Sequence, residues 1–199
     1  MERYLDTDEQ HDVMLSLAEV LHQLERVAAG DVHCWKWAVI ALASAVNGAL
    51  VCNLTGTMQV GAFKEDNAKL KIAASQKDST IEQPEKPFLA RPTELLKRAV
   101  RANQRIENAG GILKINAAQK KAFNKLFHFR NSFIHFEPLG WTIETSGMSE
   151  IFERVLEIVG QVIDDGWAFR HLNDHDRQRL RNVQHDTHHL LATLTKSTI

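Results

Sequence analysis

Only two cysteines occur, Cys34 and Cys52, and both fall in one apolar stretch. Neither has metal-type spacing, and two thiols make no disulfide framework. Two buried free thiols in a reducing, cytoplasmic setting are expected. Proline is scarce too, and three of the four residues (Pro84, Pro87, Pro92) crowd the end of one segment, 75–92, which therefore reads as a long loop. An excess of one charge sign is also missing. The formal net charge of −1 gives no global attraction to nucleic acid, so any such contact must come from a local patch. The longest apolar run, Trp37 to Cys52, is interrupted by Ser44, Asn47 and Gly48 and is short for a membrane span. It reads as a buried core helix, and the acidic start of the chain does not read as a signal peptide. There is no glycine-rich phosphate loop, no nucleophile elbow and no Cys–His pair of recognisable spacing.

What remains is a chain whose 44% apolar and 25% charged residues are ordinary for a globular protein, and whose 199 residues suit one domain. Apolar residues recur at helical steps in Met14, Leu17, Leu21, Leu24 and Ala28, predicting a helix over 8–29 that stops at Gly30. Asp31 offers a cap for a second helix, roughly Val32 to Asn53, apolar nearly all round and so central. A charged helix fits 63–74. Thr93 is expected to cap a helix from Glu94 to about Asn108, stopped by Gly110-Gly111. Asn116 begins the next helix, which runs towards Pro138, and 139–147 alternates weakly enough for an extended connection or one short strand. Ile151, Val155, Ile158, Val159, Val162 and Ile163 mark the buried stripe of a helix over 148–169. Leu180, Val183, Leu190 and Leu194 form a thin seam on a last polar helix over 173–195. The sum is an all-α, up-and-down bundle with a long loop between its second and third main helices. Its core spans roughly 8–170, with 171–199 as a C-terminal helix.

Chemistry concentrates at the end of the helix that Asn116 opens, in KAFNKLFHFRNSFIHFEPLGW. Asn131 and His135 are one turn apart, and Arg130 adjoins them. A cation, an amide and an imidazole beside a proline-marked exit suit a phosphate and a proton transfer. They would equally serve to close a helix end, with no further function. A densely basic run, Lys97, Arg98, Arg101 and Arg105, is either a solvated face or a phosphate-tracking surface. His185 and His189 could share a metal by spacing, but no Cys or acidic partner completes a signature, and a solvated face is the plainer reading.

An Arg followed by a polar residue, with a His four to six residues beyond, at a helix end in a small all-α chain, resembles the HEPN superfamily (higher eukaryotes and prokaryotes nucleotide-binding). The string FRNSFIHFEPLGWTIE looks like the version found in bacterial members, and the likeness covers roughly 8–55 and 93–170. The same spacing recurs at Arg170, His171 and His175, and Arg181-Asn182 with His188 falls within the permitted range, but both lie in polar sequence with no apolar helix leading in. The resemblance implies a homodimer with motifs from both copies lining one cleft, and RNA cleavage by 2′-hydroxyl attack without metal or cofactor. Arg130 would then contact the scissile phosphate and His135 act as general base or acid. Asn131 would hold the imidazole or a phosphate oxygen. His128 and Ser132 are neighbours without an assigned role. A cytoplasmic toxin of a toxin–antitoxin or phage-defence pair is implied, with an antitoxin such as a minimal nucleotidyltransferase as partner. The other reading the resemblance carries is a noncatalytic dimer that binds a nucleotide or a protein.

Overall fold

The protein, described here from a computed structural model, is defined at residues 4–5, 7–76, 80–82, 86–135, 140 and 142–197. Seven α-helices account for its regular structure among those residues: α1 Glu9–Ala28, α2 Cys34–Leu54, α3 Glu65–Ala74, α4 Pro92–Val100, α5 Ala117–Ile134, α6 Met148–Asp164 and α7 Asp174–Ser197. A 3-10 turn, Ala102–Gln104, follows α4. The all-α expectation holds. No strand forms among the described residues of 139–147, and Pro138 and Trp141 lie outside them. The one isolated β-bridge pairs Phe63 with Leu89.

Local chemistry explains most helix ends. Asp8 accepts from the amides of Gln10 and His11 and caps α1. Beyond α1, Gly30 adopts φ +102°, a conformation that side chains other than glycine resist. Asn116 and Gln119 form a reciprocal capping box at the start of α5. Asp31 does not cap α2 as expected. Its carboxylate accepts from the His33 amide and the Cys34 thiol, and this local turn delays the helix to Cys34.

α2 occupies the middle, packed on α1, α4, α5 and α6. By length and composition it could cross a membrane, yet 67% of its most apolar window is buried inside this fold. Helix α6 buries all six residues of its expected stripe, and Phe152 meets Trp35 of α2 edge to face at 5.2 Å. α7 packs on α1 and α6. Its seam is deepest at Leu180, Thr187 and Leu191, while Val183, Leu190 and Leu194 are only partly covered.

The largest departure from expectation is the helix placed over 94–108. Arg91, not Thr93, is the N-cap, Pro92 takes the first helical position, and the helix ends at Val100 because Arg101 turns extended (φ −135°, ψ 112°). The rest of that stretch folds back as irregular chain, tied down over long sequence distances. The Glu107 carboxylate accepts from four backbone amides, those of Gly56, Met58, Val60 and Gly61. Arg105 donates to the carbonyls of Ala99, Ala109, Gly110 and Gly111 and to Asn53 Oδ1. Ala90 N bonds to Ala62 O at 2.9 Å and Lys64 N to Phe88 O at 2.8 Å, so the approach to α4 is pinned to the segment that Glu107 holds.

Candidate functional site

Two helices present matching rows to each other near the end of α5. On α2 the row is Ile40, Ala43, Ser44 and Asn47; on α5 it is Phe127, Arg130, Asn131 and Ile134. Both rows follow the i, i+3, i+4, i+7 spacing that keeps side chains on one helix face. Ala90 to Thr93, at the start of α4, close the third side, and the groove has a volume of about 570 Å³.

The polar content of this groove favours an anion. Arg130 is half-buried, and its Nη1 donates to Asn131 Oδ1 at 3.0 Å, which leaves the remaining guanidinium N–H groups for other acceptors. Arg91 is exposed at the N-cap of α4, and no side chain caps that helix. The positive end of the α4 dipole and both arginines therefore border one groove. Asn47 adds an oddity: its Oδ1 is buried without a hydrogen-bond partner among the described residues.

The expected trio is only partly assembled. Arg130 and Asn131 share the groove wall. His135 is the C-cap of α5 (φ −99°, ψ 70°), exposed, and outside the groove lining; its amide donates to Asn131 O at 2.8 Å. Departure from helical backbone at His135 swings the imidazole away from the row it would have continued. His128 and Ser132 belong to another side of α5, where with Thr142, Ile143, Glu144, Ser146 and Gly147 they border a cavity of about 360 Å³.

The basic run divides by environment. Arg98 is 4% exposed, and its guanidinium donates to Gly61 O, Phe63 O and Glu94 Oε1. Arg105 is committed to the carbonyls named above, and burial lowers its pKa against the raising effect of Asp165. Neither is free to follow a phosphate chain. Lys97 and Arg101 are exposed, and they line a cleft of about 470 Å³ between α4 and α5 with Lys120 and Asn124. Thr93 borders both this cleft and the groove, so the two adjoin. Glu94, 4.0 Å from Lys97, puts one negative charge in the cleft.

Sequence reasoning passed over Arg91 and Asn47. The Arg-Pro step at 91–92 was the available signal, since proline favours the first helical position. Asn47 carried none, because one polar residue in an apolar helix is ordinary. No cluster of three His, Cys, Asp or Glu fit to hold a metal occurs among the described residues, and His185 and His189 are exposed on α7. Cys34 and Cys52 are both buried, and burial pushes both thiols above their usual range. Comparison with family models, with curated proteins and with solved structures finds no match to this chain.

Proposed function

We propose that this chain is a HEPN-type endoribonuclease that works as a homodimer without a metal. The observation that carries the reading is the groove at the end of α5. Arg130, bonded to Asn131, lines one groove with Arg91 and the uncapped start of α4, and an exposed imidazole lies at the same helix end. A phosphodiester seated between Arg91 and Arg130 would have its developing charge met by guanidinium N–H groups. The ribose 2′-oxygen attacks phosphorus, a P–O2′ bond forms and the P–O5′ bond breaks. The products are a 2′,3′-cyclic phosphate and a free 5′-hydroxyl. His135, brought over the groove from the second copy, takes the 2′ proton or delivers one to the 5′ oxygen. Lys97, Arg101 and Lys120 in the adjoining cleft extend the contact along the RNA backbone. The toxin role, the antitoxin partner and the cytoplasmic setting belong to this reading.

The position of His135 outside the groove lining favours a second reading, a noncatalytic dimer that binds a nucleotide in the same groove. One experiment separates them. Purified protein is incubated with structured RNAs in EDTA. The wild type should cut and leave cyclic-phosphate ends, Arg130→Ala should lose roughly 10²–10³-fold in rate, and His135→Ala roughly 10²–10⁴-fold. Cutting by both variants at the wild-type rate sinks the site. No cutting, with nucleotide binding that Arg130→Ala weakens, leaves the second reading.

A further inference from the structure

One aromatic ring stands open on the face of α2 that lines the groove. Of the three described tryptophans, Trp35 is buried against Phe152, and Trp167 donates its indole N–H to Thr55 O. Trp37 is instead 52% exposed, and the Lys36 ammonium lies 4.9 Å from its ring centroid. A half-open indole removes far less apolar surface from water than a packed one, so folding alone gives little reason for a tryptophan here. Its place on the helix is more telling. Trp37 precedes Ile40 by three residues and Ser44 by seven, so it continues the row that forms the α2 wall of the groove. The step from Ile40 is about 4.5 Å along the helix axis.

Charge indicates what would reach that ring. Arg91 and Arg130 line the groove with no carboxylate among the described residues, and the adjoining cleft adds Lys97, Arg101 and Lys120 against Glu94 alone. Five cations against one carboxylate, on a chain whose formal net charge is −1, make a local concentration of positive charge. Side chains supply it, whatever the α4 dipole adds. A basic track with an aromatic ring at its end suits single-stranded nucleic acid: cations follow the phosphates, and the ring stacks on a base of any identity. Paired bases are already stacked inside a duplex, whereas unpaired ones splay out onto aromatic side chains. We propose that Trp37 stacks on an unpaired base of an RNA strand whose backbone follows the cations of the groove and cleft, so that the site prefers single strands to duplex. The inference rests on the groove being an RNA site, as in the nuclease reading, and does not require cleavage.

Two labelled 2′-O-methyl RNAs, an oligouridylate and a blunt duplex, test this by fluorescence anisotropy. Neither carries the 2′-hydroxyl that cleavage needs, so binding is read alone. The wild type should bind the single strand more tightly than the duplex at equal salt. Trp37→Ala should weaken the single strand about tenfold and the duplex less than about twofold. Trp37→Phe keeps a ring and should recover most of the lost affinity. The salt slope for the single strand should be the same in Trp37→Ala as in the wild type, because stacking releases no counterion. The alanine variant should melt within about 2 °C of the wild type, since the side chain is exposed. The proposal is overturned if Trp37→Ala binds the single strand as the wild type does, if it weakens both RNAs alike, or if neither RNA binds. It is overturned too if Trp37→Ala turns a dimer into a monomer on size-exclusion chromatography, because the ring would then face a second copy. Cleavage of unmodified RNA by a protein whose Trp37→Ala variant binds normally would keep the nuclease and remove this reading. An intact single-strand effect in a protein that cuts nothing would do the reverse.

Discussion

Replacing Glu107 tests how the groove is held in place. Its carboxylate accepts four backbone N–H bonds from the turn after α2: Met58 N at 2.6 Å, Gly56 N at 3.0 Å, Val60 N at 3.2 Å and Gly61 N at 3.3 Å. Hydrogen bonds to a charged group contribute roughly 1.5–3 kcal/mol each, but a set sharing one carboxylate is not additive. Water can reach the Met58 amide once the carboxylate is gone, whereas Val60 and Gly61 are buried. A net loss of about 3 kcal/mol is therefore expected for Glu107→Ala. At about 2–4 °C per kcal/mol for a chain of this size, the melting temperature should fall by about 6–12 °C. Glu107→Gln keeps one carbonyl oxygen and should lose about half as much. The effect should also reach the groove. The held segment bonds Ala62 O to Ala90 N, and the carbonyls of Gly61 and Phe63 to Arg98, so it positions the start of α4. Calorimetry of the alanine variant, paired with phosphate titration, reads both. A melting temperature within about 2 °C of wild type would refute the argument that this carboxylate organises the 55–63 turn.

Environment should separate the basic residues. Arg98→Met strands the Gly61 and Phe63 carbonyls and should cost about 2–4 kcal/mol in urea unfolding. Lys97→Ala and Arg101→Ala, both exposed, should stay within about 0.5 kcal/mol. Each of the latter should instead reduce the salt slope of RNA binding by about one, and equal stability losses in all three variants would contradict the division. A pH dependence follows from His188. Burial lowers its pKa, a pull that Glu153 and Glu157 oppose and His185 reinforces. The folded state thus holds the neutral imidazole more firmly than the unfolded chain does, so stability should be highest above about pH 6.5. It should fall as the unfolded state takes up its proton below that, until the folded imidazole also titrates. His188→Gln should flatten urea midpoints between about pH 7 and 5. A contribution from Asp8 appears only at lower pH. Burial works to raise its carboxyl, but the bonds from His11 and Gln10 hold it below its usual value, so that stability is lost as pH falls through the carboxylate range.

Features coded within a few residues were legible in the chain. The start of α1 near Asp8, its stop at Gly30, the start of α5 at Asn116, the stripe of α6 and the shared face of Arg130 and Asn131 all depend on neighbours a turn or so away. Helical periodicity and capping chemistry carry that information in sequence order. What tertiary structure decided lies at separations of 35 to 52 residues. Arg98 read as a charged surface until carbonyls from a distant segment surrounded it, Arg105 turned onto carbonyls of its own loop and onto the distant Asn53, and α4 stopped at Val100 because Glu107 and Arg105 hold the chain that follows it in irregular structure. The groove itself belongs to three helices, so Arg91 and Asn47 acquired their surroundings only when α2, α4 and α5 met. A charge or an amide carries no mark of its eventual partner. Its burial is set by whichever backbone groups packing happens to bring against it, and no local pattern encodes them.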